Sequence, residues 1–159
     1  MESENAVNHP ECNNDLWQYM LAIYQRRGVK AELLALQAQG FNVLILLSLC
    51  WLSSTKRDLN SNQLNALISQ VDDSLMSEFR SWRNRIKHAP VFHQMYKKAL
   101  DLELGLEQLA VSQLYGYLIT ESLDESEHDN LQSLLNRYSE LINLPASDKF
   151  ANLLAAIHY

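Results

Sequence analysis

The sequence predicts an all-α fold, a single-domain bundle of six or seven helices around one buried central helix. Three observations carry this expectation. The 159 residues include only four Gly and three Pro, few for the many tight turns that a sandwich or barrel of short strands requires. Apolar residues, 47% of the chain, recur mostly at three- and four-residue spacing, the period of a helix face. One segment, Val43 to Leu52, is apolar nearly all round, as befits a helix at the centre of a bundle.

Residues 1–13 show no periodicity and read as a flexible leader; residues 14–159 read as the helical domain. Asn14 or Asp15 is placed to cap a first helix carrying Leu16, Trp17, Met20, Ile23 and Tyr24, with Gly28 as its stop. A short second helix from Val29 to Gln39 presents Leu33, Leu34 and Leu36 and ends at Gly40. The central helix covers about 42–54. The next apolar stripe, Leu64, Ile68, Val71, Leu75, Phe79, Trp82 and Ile86, predicts one long amphipathic helix from about 61 to 88, ended by Pro90. A fifth helix spans about 91–120, weakened locally by Gly105 and Gly116. An acidic turn over 121–129 follows. Ser126 and Asp129 have capping-box spacing for a helix carrying Leu131, Leu134, Leu135, Tyr138 and Leu141. After Pro145, Ser147 is placed to cap a last short helix through Phe150, Leu153, Leu154 and Ile157.

Composition narrows the class of function. The net charge is −6, which disfavours non-specific nucleic-acid binding. The charge is unevenly spread: residues 1–100 hold 11 Lys/Arg against 9 Asp/Glu, and residues 101–159 hold 2 against 10. The leader has no basic-then-apolar signal pattern. As a helix the Val43–Leu52 run spans roughly 15 Å, half a bilayer core, so no membrane association is expected. Cys12 and Cys50 stand in dissimilar settings and suit a reducing, cytoplasmic compartment.

At Asp15-Leu-Trp17, Gly28-Val29, Leu36-Gln37, the Asn42-Val-Leu-Ile-Leu-Leu run with Trp51, and the Trp82-Arg83 pair, the chain resembles domain of unknown function 2390, a family of bacterial conserved hypothetical proteins. The resemblance covers about 15–107. It implies a bacterial cytosolic protein and carries over no catalytic residue and no cofactor.

Chemical motifs are sparse. Ser53-Ser-Thr-Lys56 has the spacing in which an amine activates a serine, but the companion signatures S-D-N and K-T-G are absent. His9 and Cys12 are three apart with no second ligand pair, and His88 and His93 are separated by Pro90, so no metal site is expected. Asp72-Asp73 matches half of an acidic diphosphate-metal motif whose third acid is replaced by Met76. Trp17, Trp51 and Trp82 fall on apolar faces; they belong to the core or wall a ligand pocket. One surface feature remains. Arg80, Arg83, Arg85, Lys87, Lys97 and Lys98 occur between Phe79 and Leu100 without an acid. On a helix Arg80, Arg83 and Lys87 lie within about 60° of one another. The expected function is therefore a non-catalytic interaction module docking an acidic protein segment on this basic strip, with RNA less favoured. Opposed to it stand a small-molecule or enzymatic bundle with a Trp-lined pocket, and internal pairing of the strip with the acidic C-terminal third.

Overall fold

Local capping decides where the chain turns. The computed structural model describes residues 13–71, 73–144 and 149–158; all of the expected leader but Asn13, including its His9–Cys12 pair, lies outside them, as do Asp72, Pro145 and the Ser147 cap. Helix α1 (Asp15–Tyr24) starts where the Asn14 side chain accepts the Trp17 amide at 2.8 Å. Gly28, at φ 85°, makes the left-handed turn into α2 (Val29–Ala38), a conformation that costs residues with a Cβ. Asn42 then accepts the amides of Leu44 and Ile45 and opens α3 (Val43–Ser54). Every side chain from Ile45 to Leu52 is buried. The one hydroxyl among them, on Ser48, donates to the Leu44 carbonyl one turn back at 2.8 Å, so the helix runs through the core without an orphaned polar group.

The fold is all-α, built around α3. Helices α1, α2 and α7 (Leu131–Leu141) pack on it, and α8 (Ala151–His158) closes over α2. Arg26, just past the end of α1, donates to the Ile157 carbonyl near the end of α8 at 2.8 Å. Phe41 sits edge-on between Tyr138 and Phe150, tying the α2–α3 turn to α7 and the start of α8. The only strands among the described residues are two-residue pieces, β1 (Arg57–Asp58) and β2 (Asp124–Glu125), paired antiparallel.

The long helix expected over 61–88 is two helices, α4 (Ser61–Ser69) and α5 (Asp73–Lys87). Asn60 and Gln63 form a reciprocal capping box at the start of α4. At its end the amides of Gln70 and Val71 bond three residues back, to Leu67 and Ile68, tightening the last turn until the helix stops. The local sequence, Ser69 to Ser74, holds Ser and Asp residues that compete with helical backbone bonding. The apolar spacing continued through the break because Val71 packs against the core from the connecting segment. Leu75, counted on the buried stripe, is 55% exposed. The total is thus eight α-helices among the described residues.

A 3-10 turn (Pro90–Phe92) reverses the chain into α6 (His93–Thr120), which pairs with α5 as a hairpin and continues along α1 and α4. The Ser126/Asp129 capping box does not form. The Ser126 amide instead bonds the Lys56 carbonyl beside β1, and Asp129 accepts the Leu131 amide at 3.2 Å. No helix among the described residues is long and apolar enough to cross a membrane.

Candidate functional site, an apolar cleft with a charged wall

Three elements of the body and both arms of the hairpin enclose a cleft of about 450 Å³. Its apolar wall comes from α1 (Trp17, Met20), α2 (Leu34), α3 (Leu47) and the hairpin (Met76, Leu104). Leu21, Leu34 and Leu104 stand exposed about the mouth.

The opposite wall is charged. Arg80 and Arg83 lie one turn apart on α5, and Glu103 and Glu107 one turn apart on α6, so the hairpin brings four ionic groups together. Arg80 Nε donates to Glu103 Oε1 at 3.3 Å, and Arg80 Nη2 lies 3.7 Å from Glu107 Oε1. Arg83 Nε approaches Glu103 Oε2 at 3.0 Å, an ion contact in which neither atom has an aligned hydrogen bond. The Glu103 side chain is 10% exposed and the two arginines are 27% and 21% exposed. Burial, with the neighbouring Glu103 charge adding to it, holds the Glu107 carboxyl above its ordinary range against the pull of Arg80. Tyr24 lies in the same field: burial and then Glu107 raise its phenol, and Arg80 lowers it. Lys30 places its ammonium 5.8 Å from the Tyr24 ring centre, within cation–π range. The cleft lining thus holds three cations, Lys30, Arg80 and Arg83, and two carboxyl groups, Glu103 and Glu107.

The basic strip is divided by this arrangement. Arg80 and Arg83 are half-buried in ion pairs with acids of the C-terminal third. Arg85, Lys87, Lys97 and Lys98 are exposed at the closed end of the hairpin, and none of the four joins an ion pair among the described residues. The flank shared by Arg80, Arg83 and Lys87 on a helical wheel is therefore not one free surface.

The three tryptophans do not share a pocket. Trp17 lines the cleft. Trp51 is buried against Tyr115, ring centres 6.0 Å apart, at the contact of α3 with α6. Trp82 is 37% exposed and tilts against Phe79 at 5.7 Å. Ser53 donates to Asp129 at 3.3 Å, while Lys56 lies beyond the end of α3 in a left-handed turn at φ 56°, so the helical geometry that would aim its amine at Ser53 is absent. Among the described residues no three His, Cys, Asp or Glu side chains could hold a metal ion. His158 pairs with Asp129 at 3.3 Å on the surface.

The residues that sequence reasoning passed over are Glu103, Glu107, Tyr24 and Lys30. A signal for the first existed. Glu103 follows Ala99 by four residues on a face that is otherwise buried, and a carboxylate on such a face needs a cation from a neighbouring element.

A family model described as a protein of unknown function, DUF2390, matches residues 15–114. No curated protein and no solved structure matches the chain. The matched region runs from the start of α1 through most of α6 and contains every residue that lines the cleft; the chain belongs to the DUF2390 family.

Proposed function

We propose that this chain is a non-catalytic binding domain whose cleft takes a small molecule with an apolar body and one acidic group. The observation that carries the reading is the pairing of an apolar wall with a wall of arginine and glutamate in one cavity. Its volume of about 450 Å³ falls in the range of small-molecule sites. The apolar body lies along Trp17, Met20, Leu47 and Met76. The acid meets Arg80, whose 3.7 Å contact with Glu107 is the longest of the three ion contacts. Glu107 yields because its carboxyl already takes a proton more readily than usual. Binding of the anion is therefore coupled to proton uptake, and affinity rises as pH falls towards the ordinary carboxylate range.

Calorimetric titration with octanoate and 2-naphthoate tests this. The expected result is saturable one-to-one binding that weakens at least tenfold with Arg80→Gln and with the uncharged alcohol analogues. No binding of either acid, or affinity indifferent to Arg80→Gln, removes the reading.

A second reading, docking of an acidic protein segment, is supported by the four exposed cations Arg85, Lys87, Lys97 and Lys98; the acidic balance of the chain places nucleic acid behind protein as the partner. A bacterial cytoplasmic setting goes with either reading. Its supports are the family resemblance and the free, buried thiol of Cys50, which suits a reducing compartment.

A further inference from the structure

The outward face of α6 carries an apolar ladder that no other element among the described residues covers. Met95, Leu102 and Leu109 repeat every seven residues and are 45%, 56% and 58% exposed; Ile119 is 53% exposed. With Lys98, Gly105, Ser112 and Gly116 they form an alternating three–four series that occupies about 120° of the helix. The residues that α6 buries in the fold, Ala99, Glu103, Val111, Leu114 and Leu118, all fall outside that arc. Gly105 and Gly116 have nothing within 4 Å of where a Cβ would stand. Nothing in the fold needs them, although glycine weakens a helix interior. A second helix passing close by would.

We propose that this face pairs with the same face of a second copy of the chain, the two α6 helices running antiparallel. One register places each bulky rung against a small or flexible one. Leu109 lies opposite Gly105 of the second copy, Leu102 opposite Ser112, and Lys98 opposite Gly116, with Met95 against Ile119 at the ends. Because the pairing is two-fold, every contact occurs twice, as an isologous interface requires. The ladder from 95 to 119 is about 36 Å long at 1.5 Å per residue, and large residues set against small ones let facing layers interdigitate.

Charge supports the same partner. The first Lys or Arg residues of α6 are Lys97 and Lys98, and no other follows until Arg137. It ends at Thr120, followed by Glu121, Asp124 and Glu125. Antiparallel pairing sets the acidic end of each copy, with the negative end of its helix dipole, beside Lys97 and Lys98 of the other. Arg85 and Lys87 follow on the adjoining α5. The acidic protein segment that the exposed bases fit is thus the 121–125 turn of a second copy.

The full chain should show twice the monomer mass in sedimentation equilibrium. Leu102→Glu and Leu109→Glu should each halve that mass with the helical circular dichroism unchanged. An equimolar mixture of Leu102→Cys and Ser112→Cys chains, both carrying Cys12→Ser, should form a disulfide-linked dimer on mild oxidation, and neither chain alone should. This cross-link reads the register even if a glutamate variant fails to fold. A monomeric wild-type chain over the attainable concentration range overturns the proposal. So does a dimer indifferent to both glutamates, or a cross-link formed by Leu102→Cys alone.

Discussion

The charged wall of the cleft makes a quantitative demand on Glu103. Its carboxylate is 10% exposed and contacts two guanidinium groups, at 3.3 and 3.0 Å. Glu103→Gln keeps the volume and removes the charge, leaving Arg80 and Arg83 facing an amide. Breaking a fully buried pair costs about 3–5 kcal/mol, and losing an exposed one about 0–1 kcal/mol. The arginines here are 27% and 21% exposed, so each regains some water. Glu107 also recovers: the like charge that helps raise its carboxyl is gone, and it moves towards ordinary ionisation beside Arg80. These compensations place the expected loss near the middle of the two limits, about 2 kcal/mol. Urea unfolding followed by circular dichroism measures it. Glu107→Gln, which loses one 3.7 Å contact of a carboxylate 30% exposed, should cost less than half as much. Arg85→Gln and Lys98→Gln should stay within about 0.5 kcal/mol of wild type, as exposed substitutions do. A double-mutant cycle between Arg83→Gln and Glu103→Gln should return a coupling energy of about 1 kcal/mol or more. If Glu103→Gln falls within the range of the exposed controls, the four charges do not hold α5 against α6, and the account of the cleft wall fails with them.

Three further outcomes follow from the fold. Leu46→Ala, at a fully buried position on α3, should lower unfolding stability by about 2–5 kcal/mol; a loss below about 1 kcal/mol would displace α3 from the centre of the core. Gly28→Ala forces a Cβ into φ 85° and should cost about 1–2 kcal/mol, read as a lowered denaturation midpoint at constant slope. Burial pushes the Cys50 thiol from 9.0 up to about 12. The unfolded chain therefore releases this proton at lower pH than the folded one, and stability falls as pH rises across that window. Cys50→Ser should flatten the alkaline limb of the stability profile, and native Cys50 should resist thiol reagents at pH 8 until the chain unfolds.

Much of the fold was legible because its boundaries are set by short-range chemistry. Asn14 and Asn42 cap through their own side chains, and Gly28 and Gly40 take positive φ at the turns that follow α1 and α2. The central helix announced itself by having no polar face. The α4–α5 break was hidden for an equally physical reason. Val71 keeps its place on the apolar stripe while the backbone beneath it leaves the helix, so periodicity alone shows no interruption. The Ser126/Asp129 box failed because a long-range bond, Ser126 to Lys56, competed for the same residues.

The site was less legible because it is made by pairing distant charges. The sequence divides them, with a surplus of base before residue 100 and of acid after it. Folding brings the two halves together at the α5–α6 hairpin, where Arg80 and Arg83 meet Glu103 and Glu107. A helical wheel of 73–87 alone groups Arg80 with Lys87 because it cannot contain α6. The antiparallel hairpin separates them: residues deep in it find carboxylates, and those at its closed end do not. What the fold leaves unmatched is therefore ordered in space. Exposed base collects at the start of α6, and acid at its far end in the 121–125 turn. One chain cannot bring these together across a helix of 28 residues, roughly 42 Å long. Two chains laid antiparallel along it can, and do so on the face where α6 carries its exposed leucines and its glycines.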